Sequence, residues 1–246
     1  MITSYKKDEI EMFWVGLIDS AGSIQCNHWR KKSLQYRIVI DMHIDNLSML
    51  KIIENHLGGS VRCSKNNSCV WVVDHQRQIW ELFKIFDRYP PLTTRVQSQI
   101  AFFKECTQRK DVEWYLQNRD CKYNQRKGFA KQICAKDIKL LQHFPIWLSG
   151  FVTGEGCFSV RTASKDKNVT TQATKSFSIG QKHDAYLIKA IRDFFGGVNK
   201  VRSLKDNIYL WEVYRRDVLK SIICHCKRFP LLGKKATQLE DFIKDL

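Results

Sequence analysis

The chain carries one unusual segment twice: WVGLIDSAG, ending at Gly22, returns as LSGFVTGEG, ending at Gly156. Each copy is an apolar run with a small-residue pair, Val15-Gly16 or Ser149-Gly150, that closes on a glycine and passes into alternating residues. Ile10, Phe13, Trp14, Leu17 and Ile18 trace one helical face, and Leu148, Phe151 and Val152 repeat it. Pro145 suits the first turn of the second helix. Gly16 with Ser20, and Gly150 with Gly154, stand four residues apart and so stack on one side of each helix. Without bulky Cβ substituents there, two backbones can approach closely. The duplication predicts two similar halves in pseudo-twofold relation, meeting helix to helix at the repeated element. One difference matters as much as the likeness: Glu155 is acidic, and its counterpart is Ala21.

The segments after each copy are duplicated too. Strands are predicted from Ser23 to His28 and Gln35 to His43 around a basic turn, Trp29-Arg30-Lys31-Lys32. Their second-half equivalents run from Cys157 to Ala163 and Thr174 to Ile179 around Ser164-Lys165-Asp166-Lys167. A helix ending in two glycines comes next (Leu47 to Gly59, Ala185 to Gly197), then a second strand pair within Val61–Val73 or Val201–Val213. IWELFKIFDRYPPLTTR parallels VLKSIICHCKRFPLLGKK, aligning Pro90 with Pro230. The fold class is therefore α+β: two pseudo-symmetric α-β-β-α-β-β-α repeats, each with an antiparallel sheet and a final helix. Residues 1–117 form the first repeat and 144–246 the second. Residues 118–143, with Lys122, Arg126, Lys127 and Lys131, form a basic connector with some helix.

The formal net charge is +16 and the pI about 9.5, a self-repelling excess that calls for an anionic partner. Nucleic acid is the first candidate and a membrane surface the second, although no stretch of eighteen apolar residues spans a bilayer. The amino-terminal MITSYKKDEIEMFW lacks the basic-then-apolar form of a secretory signal. Nine scattered cysteines, Cys224-His225-Cys226 among them, do not assemble the paired short spacings of a structural zinc site. They read as buried free thiols of a reducing, intracellular compartment.

The two motif copies, the strand pairs and the proline-basic endings together resemble the single-chain LAGLIDADG homing endonucleases over nearly the whole chain. The resemblance implies motif helices paired at the interface, with their acidic tips at the base of two saddle-shaped sheets straddling duplex DNA in the major groove. It implies Mg2+ or another divalent cation, which activates water and stabilises the leaving oxygen, held by hard carboxylate ligands. The motif carboxylate is Glu155 in the second copy; Ala21, in the first, cannot bind metal. Asp19 reads as structural, and Asp41 is the acid placed to substitute as a ligand. The resemblance further places a polar residue at Gln181 after the second strand, with His43, or a neighbour one residue away, as its first-half match. It places a basic residue at Lys235 and at Arg95, to polarise the scissile phosphate or hold the attacking water. One site thus looks complete and the other lacks its acid, so double-strand cleavage is expected to be impaired or abolished, with nicking as what remains.

Alternate residues of a strand face one side, which nominates Gln25, Asn27, Trp29, Lys31, Lys32, Gln35 and Arg37 as DNA contacts in the first half. The second-half candidates are Ser159, Arg161, Thr170, Gln172 and Thr174, and Arg62, Lys65, Lys200, Arg202 and Lys205 extend the footprint. Gln, Asn, Arg and Lys read base edges, and scattered cations hold phosphates. Unlike halves predict a long asymmetric duplex site bound by a monomer, with no small-molecule substrate. A different outcome on the same scaffold is an RNA-binding intron maturase or ribosome-associated protein without nuclease activity, served by the connector and by Trp114, Tyr115 and Tyr123; a DNA binder that does not cut is a third. An organelle, mitochondrion or chloroplast, is suggested by the resemblance alone.

Overall fold

The structure is a computed structural model that describes residues 5–134, 136–161 and 174–244. The first half runs α1 (Lys7–Ala21), β1 (Gly22–Trp29), β2 (Ser33–His43), α2 (Leu47–Leu57), β3 (Ser60–Cys63), β4 (Ser68–Val73), α3 (Gln76–Arg88) and α4 (Thr94–Arg109). Two further helices, α5 (Val112–Asn118) and α6 (Arg126–Cys134), lead to the second half. That half comprises α7 (Phe144–Glu155), β5 (Cys157–Arg161), β6 (Thr174–Lys182), α8 (Ala185–Phe194), β7 (Arg202–Ser203), β8 (Ile208–Val213), α9 (Arg216–Arg228) and α10 (Lys234–Lys244). The expected repeat is thus present twice, in the expected order. The turn at Ser164–Lys167 and the candidates Thr170 and Gln172 lie outside the described residues.

Each half builds one antiparallel four-stranded sheet, ordered β1-β2-β4-β3 and β5-β6-β8-β7. The registers coincide: Ile40 pairs with Trp71 in one, and Ile179 with Trp211 in the other. Alternation then sorts the side chains. Ile24, Ile38, Ile40, Trp71 and Val73 are buried against helices, as are Phe177, Ile179, Trp211 and Val213. The odd-numbered residues of β1 and β2 emerge on the opposite, outer face. The double glycine after α2 is required by the backbone, since Gly58 and Gly59 have φ of 76° and 87°, where a side chain is strained. Trp71 Nε1 donates to the Gly58 carbonyl at 2.8 Å, and Trp211 Nε1 to Asn199 Oδ1 at 2.9 Å, so both sheet tryptophans are satisfied although fully buried.

α1 and α7 pack backbone against backbone. A Cβ added to Gly16 would lie 1.9 Å from the Trp147 carbonyl oxygen, and one on Gly150 would lie 1.9 Å from that of Phe13. The two glycines are therefore reciprocal, as the duplicated spacing requires. Around this contact Trp14 stacks on Phe86 with centroids 4.9 Å apart, and Trp147 on Phe151 at 4.8 Å.

Polar straps cross the same junction. Asp19, fully buried at the end of α1, accepts from the Leu92 and Thr93 amides (2.6 and 3.1 Å), from Thr93 Oγ1, and from Trp147 Nε1 of α7 at 2.8 Å. Burial pushes its carboxyl up to about 6 while those donors hold it down. Asp184, which precedes α8, accepts from Thr94 N at 3.0 Å and so caps α4 of the other half. Asn46, which precedes α2, returns the arrangement by accepting from Lys234 N of α10 at 3.1 Å. The cysteines are free, but the expectation that they are buried needs correction. Cys69, Cys106 and Cys226 are buried and Cys26 is partly so, whereas Cys63, Cys121, Cys134, Cys157 and Cys224 are exposed. In this basic chain the exposed thiols sit on strand ends and helix surfaces rather than on the apolar faces.

Candidate active site and nucleic-acid face

Because α1 and α7 run side by side, their ends arrive together. A Cβ on Gly154 would be 3.6 Å from the Ala21 Cβ, and Glu155 is the next residue. Each helix leaves carbonyl oxygens without partners at this end, and a basic residue from the opening of a later helix answers each set. Arg95 of α4 donates to the carbonyls of Gly22 (2.5 Å), Asp19 (2.9 Å) and Ile18 (3.0 Å). Lys235 of α10 donates to the Gly156 carbonyl at 2.6 Å. The two cations therefore hold the helix ends, and they flank Glu155. Burial raises the Glu155 carboxyl above the usual carboxylate range, while the charges of Arg95 and Lys235 pull it back. Lys235 is itself lowered, first by burial.

Glu155 opens into a cleft of about 540 Å³ shared with Ser20, Arg95, Gln181, Lys182 and His183, and bordered by Tyr123 and Arg126 of the connector. Gln181 is inside β6 rather than after it, on the helix-packed side with Ile179. It lies two residues beyond the Ile179–Trp211 pair, and the residue two beyond Ile40–Trp71 is Met42. His43 is thus not the first-half match: it lies one position on, and a slip of one residue turns the side chain to the other face. There its Nδ1 stands 3.1 Å from Asp45 Oδ2. Asp41 shares that outer face, is exposed, and accepts from Ser68 Oγ at 2.6 Å. It is not among the residues lining the Glu155 cleft.

The donor set suits a hard cation in part. Glu155 supplies a carboxylate beside the carbonyl end of a helix, and magnesium is commonly held by one or two carboxylates completed by substrate phosphate and water. At Ala21 there is no carboxylate to do so. Among the described residues, no group of three or more His, Cys, Asp or Glu side chains gathers into a self-sufficient metal site.

The outer sheet faces are polar and basic. Arg37 Nε donates to Gln25 Oε1 at 2.7 Å across paired strands, and Gln35, Asn27 and Trp29 share their side. Arg62 of β3 lies opposite Val70 on the same face. Lys31 and Lys32 sit in the exposed turn and Lys65 in the exposed loop after β3. In the second sheet Ser159, Arg161 and Thr174 face outward together, while Arg202 pairs with Glu212 at 2.7 Å. Lys200 and Lys205 are exposed beside β7. Lys182, His183, Tyr123, Asn124 and Arg126 are cleft residues that no sequence signal had assigned to the site. Lys182 and His183 adjoin Gln181 in the sequence; nothing in the connector's composition indicates that it returns to the cleft.

Known proteins share this architecture. The family model described as LAGLIDADG endonuclease matches residues 14–106 and 148–246, and the chain belongs to that family. A probable intron-encoded endonuclease aI3 of Dictyostelium citrinum is 40% identical over 242 residues, covering 96% of this chain and 94% of the relative. A namesake from Debaryomyces hansenii is 38% identical across 97% of this chain, which spans 38% of that longer protein. Among solved structures, the LAGLIDADG meganuclease I-AabMI, bound to uncleaved DNA, superposes with a TM-score of 0.71 at 22% identity, over 94% of this chain and 88% of that one. I-CpaMI, also bound to uncleaved DNA, gives 0.72 at 19% identity, over 97% of this chain and 90% of that one. These likenesses concern the fold. Among the described residues no helix is long and apolar enough to cross a membrane.

Proposed function

We propose that the chain is a homing endonuclease that binds a long asymmetric duplex through its two outer sheet faces and cuts one strand in preference to the other. The observation that carries this reading is the unequal pair of helix tips: Glu155 between Arg95 and Lys235, against Ala21. A divalent cation, Mg2+ in the simplest case, would be held by Glu155 with the DNA phosphate, where it would activate water and stabilise the departing oxygen. The protein's part is positional. The paired helices fix Glu155, Arg95 and Lys235 place positive charge beside the phosphate, and Gln181 lines the approach. Burial raises the proton affinity of Glu155 when no cation is bound, so a proton competes with the cation for this carboxylate on acidification. The relatives' names support an intron-encoded gene; an organelle, mitochondrion or chloroplast, is the location that the family resemblance suggests.

The test is a supercoiled plasmid carrying a target selected from a randomised duplex pool in calcium. In magnesium, nicked circles should accumulate ahead of linear product. Glu155→Gln should abolish nicking while the dissociation constant stays within about threefold. Equal cutting of both strands would refute the asymmetric reading. Failure to select any duplex, with structured RNA retained, would replace it with the RNA-binding reading.

A further inference from the structure

Residues 107–147 lie outside both segments matched by the family model, yet part of this stretch is fastened to the proposed DNA path. β1 is an edge strand, and its Ile24 amide is satisfied by Gln99 Oε1 of α4 at 3.0 Å. The other end of the same side-chain amide, Gln99 Nε2, donates to Tyr123 Oη at 3.2 Å. Tyr123 in turn collects two cations: the Arg126 guanidinium carbon is 4.3 Å from its ring centroid and Lys122 Nζ is 5.0 Å away. A chain of fixed contacts thus runs from the strand proposed to read bases to a cationic pair on an aromatic ring.

That pair stands at the border of two openings. One, of about 400 Å³, lies between the connector and β1; Gln25, Asn27 and Arg37 line one side, and Arg119, Lys122 and Tyr123 the other. Asp120 also reaches it, 3.8 Å from Arg119 Nε. The second is the Glu155 cleft, bordered by Tyr123 and Arg126. Among the described residues neither Lys122 nor Arg126 has an ion-pair partner, and the buried Nε of Arg126 has no hydrogen-bond acceptor. The nearby acid, Asp184, is engaged by Thr94. A guanidinium in this state is suited to a phosphate, whose oxygens accept its planar fork.

We propose that Lys122 and Arg126, mounted on Tyr123, form a clamp on the DNA backbone between the first half-site and the Glu155 cleft, positioning the strand for cutting. The clamp rests on the duplex-binding reading above. Its role is electrostatic and independent of base sequence, so its removal should weaken binding uniformly across targets.

The test is equilibrium binding of the full chain to its selected duplex in calcium, across a salt series. Each phosphate contact contributes roughly 0.9 to the slope of log affinity against log salt. K122Q/R126Q, which keeps long polar side chains, should therefore lower the slope by about 2. K127Q, in which the altered cation is exposed and off the Tyr123 ring, should leave it unchanged. In the wild type, phosphate ethylation should interfere with binding between the first half-site and the nick, and this interference should be missing in the double variant. An unchanged slope in a folded double variant overturns the clamp. So does an absence of interference in the wild type, which decides the matter even if the variant fails to fold. A loss confined to structured RNA also overturns it. Wild type that binds no duplex removes the functional reading and the clamp together, whereas wild type that binds and nicks with an unchanged variant removes the clamp alone.

Discussion

At position 21 a methyl group stands where the other half has a carboxylate. Met42 stands at the register position of Gln181, but Arg95 and Lys235 hold the glycine carbonyls that follow the two helices in the same way, and the tips lie side by side. An acid introduced at position 21 would therefore meet a ready basic partner. Ala21→Asp is expected to raise linear product relative to nicked circles by at least about tenfold, the size of a modest loss of transition-state stabilisation. A time course on the selected plasmid reads it directly, and no change in the ratio would show that more than the acid is missing. That Glu155, Ala21, Arg95 and Lys235 meet at the helix ends was legible from the two motif copies and the proline-basic endings through the family resemblance, and their roles belong to the proposal. Their immediate partners were not legible, because a hydrogen bond to a helix-end carbonyl leaves no trace in side-chain pattern. His43 shows the limit from the other direction: the resemblance nominates it or a neighbour one residue away, and only the strand register selects Met42.

The paired helices are the element on which the site depends. Overpacking ordinarily costs about 1–3 kcal/mol because side chains can adjust. At Gly16 and Gly150 the obstruction is a main-chain carbonyl, which has no rotamer to change. Gly16→Ala and Gly150→Ala are each expected to destabilise by about 3 kcal/mol or more, measured by urea unfolding. Gly154→Ala should cost less, since it meets the Ser20 side chain, Oγ at 2.2 Å and Cβ at 2.5 Å, rather than a main-chain carbonyl at 1.9 Å. An equal loss at all three positions would mean that the helices separate readily. This element was the most legible feature of the chain, because four-residue spacing of small residues appears in both copies. The elements read least well are α5, at the end of the first repeat, and α6, in the connector: neither follows a duplicated pattern, and the docking of the connector on Gln99 and the cleft depends on contacts distant in sequence.

For the whole molecule, stability is linked to pH through a histidine remote from the site. His225 of α9 packs among Phe194, Phe195 and Phe229, with Ser149 Oγ 3.4 Å from its Nε2. Burial lowers it to about 4 from 6.5, opposed by a bond to the Pro145 carbonyl and aided by the charge of Arg228. The unfolded chain therefore binds a proton that the folded one refuses, and stability falls as pH drops from 6.5 to about 4. The slope is about 1.4 kcal/mol per pH unit for one fully linked proton. Asp19 acts in the opposite direction between 3.8 and about 6, so the difference between wild type and His225→Phe is the informative quantity. That variant should unfold with a flatter acid limb in denaturation curves collected across pH; parallel limbs would exclude the linkage. The global organisation, two repeats and their sheets, was read from duplication; the reciprocal straps were not, since Asp184 and Asn46 are ordinary helix-start residues in sequence.

Those straps have a consequence for anyone exchanging halves between related chains. Asp184 takes its donors from Thr94 at the start of α4 in the opposite half, and Asn46 takes the Lys234 amide from α10. A graft cut at the connector separates both pairs at once, leaving a buried carboxylate facing whatever the foreign half presents. Chimeras of this protein are therefore governed by a lock-and-ward rule: the residues at 94 and 184 must travel as a matched pair, and Asn46 must meet a main-chain amide at 234, which any residue but proline supplies.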